Sequence, residues 1–337
     1  MTEPGALMRA EIAEQPAVLD GIVANHGVIA EAGARIAAHK PRFVLLAARG
    51  SSDHAALYAK YLIETLVQLP VGLVSPSTTT IYGARPDLTD VVLITASQSG
   101  GSPDLLEVTE AAKAAGALTV AVTNTPDSAL HKTAELAVDM GAGAERAVAA
   151  TKSYTATLLA LYLLIDAWRG GKAEHARDIG SLATGALQVP VAEAADRYRF
   201  ADRLIACGRG YSLASAHEAG LKLAETAYLA TRSYSGADLL HGPVAAVDRQ
   251  TPVLAITSAG KGGAAMGPVL DTVRAAGADL LTVGSAENAN LRTPECAEEL
   301  APVLEIIPVQ QIALELALAR GGDPDNPRGL HKVTETR

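Results

Sequence analysis

Two short stretches place hydroxyls, glycines and an amide where a buried strand should give way to a helix. TASQSGGSPD (residues 95–104) follows the apolar run VVLI (91–94), and RGSS (49–52) follows FVLLAA (43–48). A third stretch, AATKS (149–153), opens another helical pattern. Such a junction gathers free backbone N–H groups, hydroxyl donors and the positive end of a helix dipole. Together these can hold an anion without any lysine or arginine. The same residues also make ordinary caps, with Ser102 capping its helix, and composition alone leaves both readings open. Two standard phosphate loops are excluded. Gly260-Lys261 has Ala255 and Gly262 where a P-loop needs Gly and Ser or Thr, and Gly208-Arg209-Gly210 is followed by Leu213 where a dinucleotide fingerprint needs Gly.

Other chemistry-bearing residues are scattered. Lys222 and Glu225 lie three apart on a helical pattern and share a face; a solvated ion pair is the ordinary reading of that spacing. His241 sits in a turn sequence, LLHGP, as an ordinary polar surface residue does, and Lys332 lies in the tail NPRGLHKVTET, where a lysine commonly just solubilises. Cys207 and Cys296 are the only cysteines, too few for a disulfide framework and not spaced for zinc, so they read as buried small hydrophobes.

The elements that would position these residues alternate. A helical region over 7–39, interrupted near Pro16, precedes strands in RFVLLAA, near Val71, and in VVLITA and LTVAVT, with helices from Ser52 and Ser102 between them. Helices over 150–169 and 173–187 lead to a second series: RLIACG, a helix over 213–230, PVLAIT, a helix over 264–276, and DLLTVG. Alternation of this kind predicts parallel sheets in an α/β fold. The two series also correspond. Arg49-Gly50 matches Arg209-Gly210 and Gly100 matches Gly260 at an offset of 160, and Ala114-Ala115-Gly116 matches Ala275-Ala276-Gly277 at 161. A period this long is a duplicated domain. SQSGGS in the first copy becomes TSAGKGG in the second, which reads as one binding loop kept and one lost.

Bulk properties narrow the classes further. Of 337 residues 49% are hydrophobic and 19% charged, which supplies a sizeable core and argues against disorder. A net charge of −9 argues against a nucleic-acid surface. The N-terminus has acids early and no apolar signal region, and no segment reads as a clear membrane span, so a cytoplasmic location without a membrane partner is expected.

Taken in order, ARGSSDHAALYAKYLIETL, ITASQSGGSPDLL, AVAATKSYTATL, EAGLKLAETAYLATRSYSGADLLHGP and DNPRGLHKVT resemble the sugar isomerase (SIS) family over nearly the whole chain. Within that family they are similar to the isomerase half of glucosamine-6-phosphate synthase and to stand-alone deaminases. The resemblance implies two tandem flavodoxin-like SIS domains, in agreement with the repeat: a helical region at 1–39, a phosphosugar-binding domain at 40–170, a second domain at 171–320, and a tail over 321–337 that closes the site. It implies that Ser51, Ser52, Ser97, Gln98, Ser99 and Ser102 hold a sugar 6-phosphate, with Gly50, Val148, Ala149 and His331 on the rest of the substrate. Glu225 falls on the family's proton-shuttling glutamate, a carboxylate that must reach both C1 and C2 of an open-chain sugar. Lys222 matches a neighbouring lysine without an assigned role. His241 matches a ring-opening histidine supplied across a homodimer interface, a task that suits imidazole. Lys332 matches a lysine that condenses with the open keto sugar. No metal or organic cofactor is implied.

The chain departs from the synthase pattern in places. Gly101 stands where the synthase has an acidic residue, and His331 where it has a small one. The sequence starts Met1-Thr2, with no N-terminal cysteine nucleophile and no glutamine-hydrolysing domain ahead of the first copy, so reaction in the ammonia-releasing direction is expected. The expected activity is glucosamine-6-phosphate deamination. Alternatives are a fructosamine-6-phosphate deglycase, a galactosamine-6-phosphate enzyme or another phosphosugar isomerase, and a non-catalytic sugar-phosphate sensor.

Overall fold

The computed structural model describes residues 3–332. The chain divides into two compact units. The first comprises Val18–Ala144 and Ser153–Arg177; the second comprises the chain up to Ala17, Glu145–Lys152 and Asp178–Lys332.

The first unit holds strands β1 (Phe43–Ala47), β2 (Val71–Leu73), β3 (Val91–Ser97), β4 (Leu118–Thr123) and β5 (Leu136–Asp139). They pair in parallel in the order β2-β1-β3-β4-β5. Helices cover such a sheet on both faces, so its central strands are apolar runs without alternation; β4 is buried at every position and β3 at all but its first. Leu93 on β3 packs with Ala47 and with Leu105, Val108 and Ala112 of the helix Pro103–Ala114. Burying a leucine so completely contributes roughly 1.5–3 kcal/mol.

The second unit repeats the permutation. Strands β6 (Arg203–Gly208), β7 (Ala230–Ser235), β8 (Val253–Ile256), β9 (Leu280–Gly284) and β10 (Leu291–Arg292) are parallel in the order β7-β6-β8-β9-β10. Both sheets thus have the flavodoxin-like order 2-1-3-4-5. The repeat glycines agree in conformation as well as in sequence. Gly50 and Gly210 (φ 56° and 63°), Gly100 and Gly260 (61° and 122°), and Gly116 and Gly277 (94° and 75°) all lie at positive φ, where a side chain is disfavoured.

The helix Ala301–Ala319 packs on the helix Ser212–Ala227. By length and mean hydropathy (1.4) the segment Glu298–Ala319 could cross a membrane, but 89% of it is buried within the protein. It is a core helix. At the start of the same unit, the helix Ala6–Ala13 takes its N-terminal hydrogen bonds from far along the chain: Leu7 N and Met8 N donate to the Asp325 carboxylate at 2.9 and 2.8 Å.

Some expected elements shift. The helix foreseen over 173–187 is a 3-10 turn, Glu174–Ala176, followed by the helix Ile179–Leu187, and the N-terminal region is three helices, Ala6–Ala13, Gln15–Ala24 and Gly27–His39. Strands β5, β7 and β10 carry no long apolar run, because each lies at or next to a sheet edge and β7 is nowhere fully buried.

Candidate functional site

In the 2-1-3-4-5 order the direction of strand succession reverses between the first and third strands, and the crevice beyond their carboxyl ends is where such sheets bind ligands. In the first unit that crevice lies between β1 and β3, the neighbouring strands that end at the two hydroxyl-rich loops. Gly50, Ser51 and Ser52 follow β1; Ser97, Gln98, Ser99 and Ser102 end or follow β3. Ser97 Oγ accepts from Gly100 N at 3.2 Å and Ser99 Oγ from Gly101 N at 3.4 Å, so the second loop is curled on itself with its donors gathered. Ser102 occupies the N-cap position, yet its side chain makes no capping bond, and Pro103 follows as the first helical residue. Capping therefore does not account for that hydroxyl. The two loops are tied together by Arg49, whose Nε and Nη2 both reach Asp104 Oδ2 at 2.7 Å. The guanidinium faces a buried carboxylate, so it serves as a brace between the loops.

The second unit gathers a different set. Glu218, Lys222 and Glu225 fall at i, i+4 and i+7 on the helix Ser212–Ala227, one stripe of a single face. Lys222 and Glu225 are not a solvated pair. The Lys222 side chain is 1% exposed, donates to Glu225 Oε2 at 2.5 Å and lies 3.5 Å from Glu218 Oε1, whose side chain is wholly buried. Burial pulls the Lys222 pKa down, but Glu218, Glu225 and Glu145 outweigh it and hold the amine above its ordinary value. The lysine is an interior cation, and it fixes one oxygen of Glu225, which remains 24% exposed.

A loop over 145–152 adjoins this cluster. Glu145 accepts from Thr151 N at 2.9 Å and from Lys332 Nζ at 2.7 Å. Glu11 accepts from Arg146 N and Ala147 N. Burial, reinforced by Glu145, raises the Glu11 pKa, against those two hydrogen bonds and the Lys332 charge. Lys152 pairs with Glu14. Val148 and Ala149 thus sit in a loop clamped at both ends by carboxylates, and His331 is exposed beside Lys332.

The structure therefore brings together two groups of the expected residues, each within its own unit. His241 stands apart: it is exposed at the C-terminal end of the short helix Gly236–Leu240, and among the described residues its ring joins none of the cluster's hydrogen bonds. Sequence reading passed over Glu218, Glu145 and Glu11. The i, i+4 spacing of Glu218 and Lys222 was available as a signal, whereas nothing local marks Glu11 or Glu145. Cys207 is buried as expected, whereas Cys296 is only partly buried; burial pushes both thiols up to about 12, with Glu305, Glu299 and Glu295 adding to the rise at Cys296, far from the reactive range.

A duplicated flavodoxin-like protein with a hydroxyl-lined switch-point loop in one copy and a buried carboxylate–ammonium cluster in the other is what the fold and these residues define. The SIS domain profile matches residues 38–167 and 198–320, and the chain belongs to the SIS family. It is 33% identical to glutamine–fructose-6-phosphate aminotransferase (isomerizing) of Thermococcus kodakarensis over 96% of this chain and 57% of that protein. To the protein of the same name from Thermus thermophilus it is 32% identical, over 96% and 58%. The chain thus spans somewhat over half the length of these relatives. Among solved structures, the C-terminal domain of glucosamine-fructose-6-phosphate aminotransferase from Francisella tularensis superposes with a TM-score of 0.84 at 25% identity, over 95% of this chain and 98% of that one. Glucosamine-6-phosphate deaminase of Thermotoga maritima gives 0.81 at 22% identity, over 98% and 100%, a likeness of fold alone.

Proposed function

We propose that this chain is a phosphosugar isomerase of the SIS type that acts as an amino-sugar phosphate deaminase, converting glucosamine 6-phosphate and water to fructose 6-phosphate and ammonia. The observation that carries the reading is Glu225: a partly exposed carboxylate on an otherwise buried stripe, anchored through one oxygen by an interior ammonium. A base fixed in this way keeps one direction of approach and does not need to reorganise between taking and giving a proton.

In the proposed sequence His241 assists ring opening to the free aldehyde. Glu225 removes the proton from C2 and returns it to C1, which leaves a C1 alcohol and a C2 imine. Water adds to the imine carbon, the C–N bond breaks, and the ketose and ammonia leave. Ser51, Ser52, Ser97, Gln98, Ser99 and Ser102 hold the 6-phosphate, a role supported by the switch-point placement of their loops and by the uncapped Ser102 hydroxyl. Gly50, Val148, Ala149 and His331 complete the substrate contacts. Lys332 is ion-paired with Glu145, and an ammonium has no lone pair; Lys332 can condense at C2 of the open-chain ketose only after yielding its proton, for which Glu145 is the adjacent acceptor, with the carbonyl oxygen leaving as water, and hydrolysis of that Schiff base returns the ketose. The reading includes a homodimer in which His241 serves the neighbouring subunit, supported by its exposure.

Ammonia release, measured against glucosamine, galactosamine and fructosamine 6-phosphates, tests the proposal. Turnover of glucosamine 6-phosphate in preference to the others is expected. Tight binding of these compounds without any turnover would leave a sensor in place of an enzyme.

A further inference from the structure

The second unit has its own switch-point crevice, between β6 and β8, and the loop there is not empty chemistry. The stretch TSAGKGG (257–263) follows β8 as SQSGGS follows β3, with Gly260 in the place of Gly100. In the first unit the N–H of Gly101 meets the loop's own Ser99 hydroxyl. In the second, the matching position is Lys261, and its N–H donates to Glu298 Oε2 at 3.0 Å while Gly262 N donates to Glu298 Oε1 at 2.6 Å. A carboxylate is thus held through both oxygens by consecutive backbone donors. The fit is close: a Cβ at Gly260 would come within 2.4 Å of the Glu298 carboxyl carbon, so any other residue here would displace that carboxylate.

A second set of hydroxyls gathers at the same crevice. Glu305, wholly buried, projects from the core helix Ala301–Ala319 and accepts from Ser212, at the start of the helix after β6, at 2.7 Å, and from Ser258 of the β8 loop. The buried hydroxyl of Thr257, which stands where Ser97 stands in the first copy, has no hydrogen-bond partner among the described residues. Buried polar atoms are rarely left so. Hydroxyls from both switch-point loops therefore converge on one carboxyl group, backbone N–H groups converge on another, and the Thr257 hydroxyl is left as a spare donor.

We propose that the second domain retains an oxyanion pocket built like the phosphate loop of the first, and that Glu298 is its resident anion, supplied by the chain itself. The ligand class the pocket accepts once Glu298 is removed is a phosphate-like tetrahedral oxyanion. The sequence difference between SQSGGS and TSAGKGG is then an exchange of an external ligand for an internal one. The inference shares with the preceding section the reading of the first loop as a phosphate site, but a count of sites tests the two separately.

Inorganic phosphate is titrated by calorimetry into the wild-type protein, Ser97→Ala/Ser99→Ala, Glu298→Ala, and the combination of all three substitutions. One phosphate per chain is expected for wild type, two for Glu298→Ala, none for the serine pair and one for the triple variant. Glu298→Gln, whose amide oxygen still accepts from the loop, should stay at one. If Glu298→Ala unfolds in part, phosphate should restore its folded fraction and raise its melting temperature, as a ligand of the native state does. A stoichiometry of one for Glu298→Ala, or a melting temperature indifferent to phosphate in the triple variant, overturns the proposal. Undiminished binding in the serine pair overturns the first-loop reading alone, because the second equivalent in Glu298→Ala would still be counted.

Discussion

Lys332 Nζ donates to Glu145 Oε2 at 2.7 Å, so a residue of the C-terminal tail is bound to a loop in the middle of the chain, within the second unit. The Glu145 side chain is wholly buried, whereas Lys332 is 24% exposed. The tail lysine thus shares the neutralisation of this interior carboxylate with the buried Lys222.

Removing that lysine should cost more than a surface pair would. Lys332→Met is expected to destabilise the fold by about 2 kcal/mol, the scale of an uncompensated buried charge that keeps its other hydrogen bonds. Glu145→Gln added to Lys332→Met should recover part of the loss. Urea unfolding of the two single variants and the double gives the coupling directly; strictly additive effects would show that the pair contributes nothing.

Glu225→Gln is nearly isosteric and keeps an acceptor for Lys222. Affinity for sugar phosphate should change little, while turnover falls on the order of 100-fold or more, as loss of a positioned general base does. Solvent exchange of the C2 hydrogen of glucosamine 6-phosphate, followed by NMR, isolates that step. Exchange at the wild-type rate in the Gln variant would move the shuttle to another residue.

Sites shared between subunits predict complementation. His241→Ala and Glu225→Gln proteins, each inactive alone, should regain partial activity on mixing as subunits exchange. Heterodimers shown to form and still inactive would mean that each chain uses its own histidine.

Glu305 makes stability depend on pH in the less familiar direction. Burial raises its pKa and Glu298 adds to the rise, against hydrogen bonds from Ser258, Ser212 and Ser215. A carboxyl raised on folding favours the folded state fully below its unfolded pKa, and that contribution is lost as pH rises through the folded value. Glu305→Gln should therefore gain stability relative to wild type as pH rises from about 4 toward neutrality, by about 1.4 kcal/mol for each unit of the shift. Denaturant midpoints across that range check the sign; parallel profiles would place the Glu305 carboxyl at its ordinary pKa. Cys296, pushed up to about 12, lies outside that range.

Much of this molecule was legible in its sequence, and the gaps have physical causes. The central strands announced themselves because parallel sheets covered on both faces need continuous apolar runs. The edge strand β7, ATRSYS, lacks such a run and was invisible for the same reason. The switch-point loop was visible as a change from bulk to hydroxyls at a strand end. Glu145 and Glu11 were not, since their roles rest on partners 187 and 135 residues away. The second-copy loop read as a loss because local sequence shows which donors remain and not what comes from elsewhere to meet them.

The capping of Ala6–Ala13 by Asp325 bears on how the protein is made. The carboxylate that closes the N-terminal turn of this helix is synthesised more than three hundred residues after the helix itself. The strands of the first sheet, which all lie between residues 43 and 139, can pair while synthesis continues. The second unit cannot complete the cap on this helix until translation has passed Asp325. Residues 6–13 must wait uncapped while the intervening stretch of more than three hundred residues is made, and that interval is when a nascent chain is open to chaperones and proteases.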